Sequence, residues 1–500
     1  MNMGKVWLVG AGPSDPGLFT LKGKNILSQG EVVVYDKLVG QGILAMIPEN
    51  AKKIPVGKVA GHHPVPQHEI NQILVDEAEK GHRVVRLKGG DPFLFGRGGE
   101  ELELLCEKNI PFEIVPGITS AISVPAYNGI PVTHRDFCSS VHIITGHTKK
   151  EEEPNIDFEA LNKLNGTLVF LMGVSAMEKI CQGLLNAGMD KTMPAAILEH
   201  GTTAHQRRVV SDITNLPRDA HNASIKTPAI IVVGKVCSLA KDFHWAEDRP
   251  LGQIKVGVTR PKDRSSSLAK KLEAAGAEVV LLPTIKTETI PNNTNLKAAL
   301  QKISEYGWIV FTSVAGVHEF YQAMDAIKMD IRSLGSIKFA AIGSATAKAI
   351  SKRGIQVDYI PKEYSGNALG MGLAKEVHGD KVLIPRAKIG TDEVILPLKA
   401  VGINYDDIPV YDTVNPDENP LVRYDETVDY MAFTSGSTVT GFATLNPNVD
   451  YGNIEAICIG RQTANEAEKL GMRTTVAEEA TIDSMIKALL EKSPSGKEAS

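Results

Sequence analysis

Five hundred residues exceed what one hydrophobic core supports, so about two to four domains are expected, and 43% apolar with 23% charged residues is ordinary for a soluble globular chain. The net charge of −5 is spread over both halves, with 26 Lys+Arg against 28 Asp+Glu in residues 1–250 and 28 against 31 in 251–500, which argues against a basic nucleic-acid-binding module. Apolar runs such as Pro228–Gly234 are too short to span a bilayer, and five singly scattered cysteines offer no metal-ligand spacing and no disulfide framework, as fits a reduced cytoplasm.

The first predicted element is a strand in VWLVGAG, entered so early that no signal peptide is expected before it. A glycine-rich turn follows at Val9–Thr20 (VGAGPSDPGLFT). Pro13 and Pro16 remove two backbone donors there, and the glycines depart from GxGxxG spacing. Dinucleotide binding is therefore a poor reading, while a clasp for an adenosine or a carboxylate stays open. The next strand, EVVVYD, ends on Asp36 at a carboxyl edge, where α/β sites gather; a plain helix cap is the alternative. Lys58, with His62 and His63 close behind, follows another strand. The segment His68–His82 sets Ile70, Ile73, Leu74 and Ala78 on one helical face.

After the strand RVVRLKG comes the block Arg86–Glu101 (RLKGGDPFLFGRGGEE). Gly89 and Gly90 let the backbone approach a ligand closely. Asp91 can accept from a ligand hydroxyl or ammonium group, Pro92 stiffens the turn, and Arg97 enters a second tight turn before a helix. Strands are predicted again in SVHIITGH, TLVFLMG, PAAILEH and PAIIVVGKV, separated by helical patterns, which is the α/β signature. His244–Gln253 has charge, Pro and Gly without periodicity and reads as the main boundary.

A second α/β series begins at Ile254 and contains an internal repeat. Ile309–Phe320 (IVFTSVAGVHEF) parallels Met431–Phe442 (MAFTSGSTVTGF), and each is followed by an IGxxTA turn, at Ile342–Ala347 and Ile459–Ala464. Two similar lobes with equivalent polar turns are implied.

The Arg86–Glu101 block, with Val115–Asp136 (VPGITSAISVPAYNGIPVTHRD) and Glu199–Val209 (EHGTTAHQRRV), resembles the tetrapyrrole methylases, and uroporphyrinogen-III C-methyltransferases in particular. The resemblance runs over about residues 4–245. It implies two α/β subdomains, about 1–115 and 116–245, with S-adenosylmethionine in the crevice between them. It also implies donor contacts at Pro13, Gly89, Gly90, Asp91, Leu94, Thr119, Ser120, Met172 and Gly201, with Asp36 as proton acceptor and Lys58 as proton donor. The substrate of that family carries eight carboxylates, for which Arg97, His134, Arg135, Arg207 and Arg208 are candidate partners. One departure stands out. The family's Gly-Pro-Gly-Asp loop reads GPSD here, so Ser14 is strained if its position needs a positive φ.

From Ile254 onward the chain resembles uroporphyrinogen-III synthase, a family of two lobes joined by a two-strand hinge. A linker over about 246–253, a first lobe over about 254–284 and 412–490, a second over about 285–411 and a disordered tail over about 491–500 are expected. Thr312, Ser313, Ser344, Thr346, Ser435, Ser437 and Thr463 are candidate cleft residues, Arg386 and Arg461 candidate carboxylate partners, and Tyr411 the candidate acid at the hinge. Each Ser or Thr has helix capping as its ordinary alternative. Together the halves imply a bifunctional enzyme that cyclises hydroxymethylbilane to uroporphyrinogen III and methylates it twice to precorrin-2. A later corrin methyltransferase and a non-catalytic tetrapyrrole sensor are the competing readings. No metal, nucleic acid or membrane is expected as a partner, and a homodimer through the first half is implied by the methylase resemblance. No GxGxxG occurs, so oxidation and metal insertion are expected elsewhere.

Overall fold

The computed structural model describes residues 3–57, 65–146, 156–259, 267–415 and 423–493; Lys58, His62, His63 and residues 494–500 lie outside them. The first sheet takes β1 (Lys5–Gly10), β2 (Val32–Tyr35), β3 (Lys52–Pro55), β4 (Arg83–Lys88) and β5 (Phe112–Val115) in the order β3-β2-β4-β1-β5. All its pairings are parallel. Such a sheet is covered on both faces, which is why β2 is an unbroken run of buried Val and Tyr. The helix Gln67–Glu79 covers one face with Ile70, Leu74, Val75 and Ala78.

The second sheet takes β6 (Val141–Thr145), β7 (Thr167–Leu171), β8 (Pro194–Glu199), β9 (Arg207–Asp212) and β10 (Ala229–Val233), ordered β6-β7-β10-β8-β9. Only β6 and β7 run parallel; the others pair antiparallel.

β11 (Lys255–Val258) and β12 (Glu278–Leu281) begin a third sheet. The chain then leaves it to build a fourth from β13 (Lys286–Thr289), β14 (Tyr306–Phe311), β15 (Lys338–Ala341), β16 (Lys381–Ala387) and β17 (Tyr405–Val414), ordered β13-β17-β16-β14-β15. It returns with β18 (Tyr430–Phe433), β19 (Glu455–Cys458) and β20 (Arg473–Val476), giving β12-β11-β18-β19-β20, parallel throughout. Thr284 pins the outgoing crossing: its buried Oγ1 shares its one proton between Thr259 O (3.2 Å) and Thr438 O (3.0 Å). The repeat is structural. β14 and β15 with the helices Val314–Ala326 and Ser344–Ser351 match β18 and β19 with the helices Gly436–Leu445 and Arg461–Lys469, and each strand pair is parallel.

The non-periodic segment 246–253 is anchored at Ala246 and Leu251, both buried. Leu251 is fully buried, and Arg249 Nη2 donates to Glu273 O at 2.6 Å. The first half also meets the third sheet directly. Ala45 is buried in one cluster with Val280, Leu282, Val428 and Met431. Gln41 Nε2 donates to Asp425 (3.1 Å), Ala204 N to Glu278 (2.8 Å) and His205 Nε2 to Thr427 O (2.7 Å). The last helix is Ile482–Lys492, which takes in the first two residues of the stretch expected as a tail. Among the described residues no helix is long and apolar enough to cross a membrane, and no group of metal-ligating side chains forms.

Candidate active sites

Three backbone segments converge beyond the carboxyl ends of β1, β4 and β5. Gly12 and Gly90 form an isolated bridge, with hydrogen bonds of 3.1 and 2.8 Å. A Cβ on Gly117 would lie 2.2 Å from Gly90 O, so only bare backbone lets these loops meet. Gly90 has φ +68°, and a Cβ built on it meets nothing within 4 Å: it would project into open space. Asp91 organises this junction, its Oδ1 accepting from Phe93 N (2.8 Å) and Leu94 N (3.2 Å) and its Oδ2 from Gly117 N (3.0 Å).

The second subdomain closes the crevice. Thr202 Oγ1 donates to Pro13 O at 2.7 Å. Thr119 caps the helix Ser120–Tyr127, half-exposed Met172 follows β7, and Gly201, after β8, packs on Val124. Ser14 (φ +115°), Met172 (+55°), His200 (+47°) and Thr202 (+69°) all hold left-handed backbone here. Such conformations cost about 1–3 kcal/mol each and persist where surrounding structure over-determines them.

Asp36, just past β2, has a partly exposed carboxylate (30%) that accepts from Arg86 Nη2 at 2.7 Å. Behind it lies a buried row of charge. Glu101 Oε1 accepts from Arg86 Nε (3.1 Å), Lys88 Nζ (2.8 Å) and Gln67 Nε2 (3.2 Å). Burial, reinforced by the neighbouring Arg86, pushes the Lys88 ammonium below its ordinary pKa.

In the second half, Ser313 caps the helix after β14, accepting from Gly316 N at 3.0 Å, and its Oγ lies 2.9 Å from Tyr411 Oη. Tyr411 stands on β17, where it pairs with Thr289 of β13. Thr312, which precedes Ser313 in the chain, is half-buried, and Ser344 is exposed at the first turn of its helix. Thr346 and Thr463 are both buried, at equivalent places in the repeat. Ser435 and Ser437 bond each other at 2.9 Å.

Residues 5–217 match the model of the tetrapyrrole (corrin/porphyrin) methylases, and residues 266–487 that of the uroporphyrinogen-III synthases. The chain is 48% identical to porphyrin biosynthesis protein HemD of Ruminiclostridium josui over 98% of each chain. It belongs to that family. It is a bifunctional enzyme of tetrapyrrole biosynthesis, a methyltransferase followed by a synthase. Two further relatives are the uroporphyrinogen-III C-methyltransferase of Bacillus subtilis, 41% identical over 72% of this chain and 74% of its own, and the S-adenosyl-L-methionine-dependent uroporphyrinogen III methyltransferase of Methanosarcina barkeri, 52% identical over 48% and 94%.

The bifunctional chain keeps most of its candidate carboxylate-binding arginines occupied. Arg97 is paired with Glu100, Arg207 with Glu199, Arg208 with Glu247 and Arg461 with Glu468. Arg386 is forked on Asp407 at 2.6 and 2.7 Å. Arg135 is exposed, and His134 stacks on Phe137 with ring centres 4.8 Å apart. Sequence reasoning missed the row of Arg86, Lys88 and Glu101. The available signal was two cations two residues apart on a strand otherwise buried throughout its last five positions.

Proposed function

We propose that the first half transfers two methyl groups from S-adenosylmethionine to uroporphyrinogen III, giving precorrin-2, and that the second half makes this substrate from hydroxymethylbilane. The observation that carries the first part is the glycine junction: three bare-backbone loops meet around an open face at Gly90. Bare backbone at such a face allows close approach of a ligand, and the M. barkeri relative's name supports S-adenosylmethionine as donor. When bound, the donor supplies an electrophilic methyl group. Pro13, Gly89, Gly90, Asp91 and Leu94 would hold it from one side, and Thr119, Ser120, Met172 and Gly201 from the other. Asp36, just past β2 and partly exposed, would take the pyrrole-carbon proton and balance positive charge on the ring. Lys58 is assigned the complementary donor role.

In the second half the polar turns begin helices directly after parallel strands, where backbone N–H groups favour carboxylate arms. Tyr411, hydrogen-bonded to Ser313, is the group assigned to assist loss of the bilane hydroxyl. The paired arginines would each exchange a protein carboxylate for a substrate one. A dimer through the first half and a cytoplasmic location complete the proposal.

The test is incubation of the full chain with hydroxymethylbilane, with and without S-adenosylmethionine, followed by product analysis. Uroporphyrinogen III alone without donor, and a dimethylated product with it, are expected. Only the type I isomer without donor would remove the synthase reading and leave a tetrapyrrole sensor.

A further inference from the structure

The row of charge behind Asp36 has a role that depends on the base assigned above. Arg86, Lys88 and Glu101 are 2%, 3% and 0% exposed, and Glu101 Oε2 meets no donor among the described residues. Burying ions costs several kcal/mol each unless they are well paired, and apolar side chains of similar volume often stabilise a core as well or better. Packing alone does not call for such a row.

Its geometry is directional. Arg86 and Lys88 alternate with Leu87 along β4 and so share one face. Glu101, in the first turn of the helix Gly98–Glu107, takes both cations on a single oxygen. Arg86 Nη1 lies near the carbonyls of Val34 (3.5 Å) and Leu87 (3.3 Å), at the ends of β2 and β4. The guanidinium is thus fixed on three sides, and its remaining Nη2 reaches Asp36. Asp36 alone of the four is partly exposed, at 30%. We propose that Arg86 is a positioning residue for methyl transfer: its planar fork fixes the Asp36 carboxylate, and Glu101 and Lys88 fix the fork.

A double-mutant cycle in the full chain tests this, with donor affinity measured by calorimetry alongside methyl transfer. Arg86→Met should lower kcat about 30-fold or more, as expected when a general base is mispositioned, with donor affinity held within about threefold. In the double variant Asp36→Asn/Arg86→Met the loss should not exceed that of the worse single variant, because both remove one function. Losses that multiply, or an unchanged kcat in Arg86→Met, would overturn the proposal. Full activity in Asp36→Asn alone would overturn the base assignment, a separate outcome. If Arg86→Met loses donor binding altogether, Arg86→Lys decides. It keeps the charge without the fork, and kcat should fall about tenfold with donor binding retained; wild-type kcat in that variant would refute positioning by the fork.

Discussion

Under the proposed assignment Asp36 and Gly90 divide one chemical task, the first acting on the substrate and the second on the donor. Asp36→Asn keeps shape and one hydrogen-bonding oxygen while removing the negative charge. Methyl transfer should fall about a hundredfold or more, the scale of acid–base groups, with donor binding nearly intact by calorimetry. Gly90→Ala places a methyl group in open space at φ +68°, a backbone region L-residues avoid. Donor affinity should drop about tenfold or more while the synthase rate stays unchanged; unaltered affinity would move the donor pocket elsewhere. Tyr411→Phe removes the hydroxyl that meets Ser313 and keeps the packing of a residue only 8% exposed. A lowered ratio of type III to type I uroporphyrinogen is expected, short of abolition, because folding of the bilane by the rest of the cleft persists.

At the scale of elements, the strands were legible because alternating β-branched runs and helical patterns carry distinct periods. Asp91 stood out as the acidic residue of its turn, and its Oδ1 bonds to Phe93 N and Leu94 N are local; the Gly117 amide reaches Oδ2 only because of where β5 delivers the chain. The Arg86–Glu101 row was hidden because its partners are fifteen residues apart and meet only when the helix Gly98–Glu107 folds back on β4. The pairing of Arg386 with Asp407 was hidden likewise, being a contact between β16 and β17. Ser14 was foreseeable as a condition: its place in the GPSD loop means strain if φ is positive there, and its φ is +115°. Ser14→Gly should stabilise the protein by about 1 kcal/mol, relief of strain exceeding the added freedom of the unfolded chain. Denaturant unfolding checks the sign; a loss of stability would show that the loop tolerates serine without strain.

The whole molecule is joined by more than its linker. Ala45 of the methyltransferase half is buried in the synthase cluster of Val280, Leu282, Val428 and Met431, and three hydrogen bonds surround that contact. Two of those bonds start at Ala204 and His205, two and three residues past Thr202, which holds Pro13 at the donor crevice. A single protease cut within 246–253 should therefore leave both pieces eluting together on gel filtration, and separate elution would show the contact to be too weak to matter. The same contact limits how freely nature or an engineer can trade parts. A foreign synthase grafted behind residue 253 would arrive with no recess for Ala45 and without the carboxylates that accept from Gln41 and Ala204, so working chimeras should need both sides of that seam exchanged as a unit.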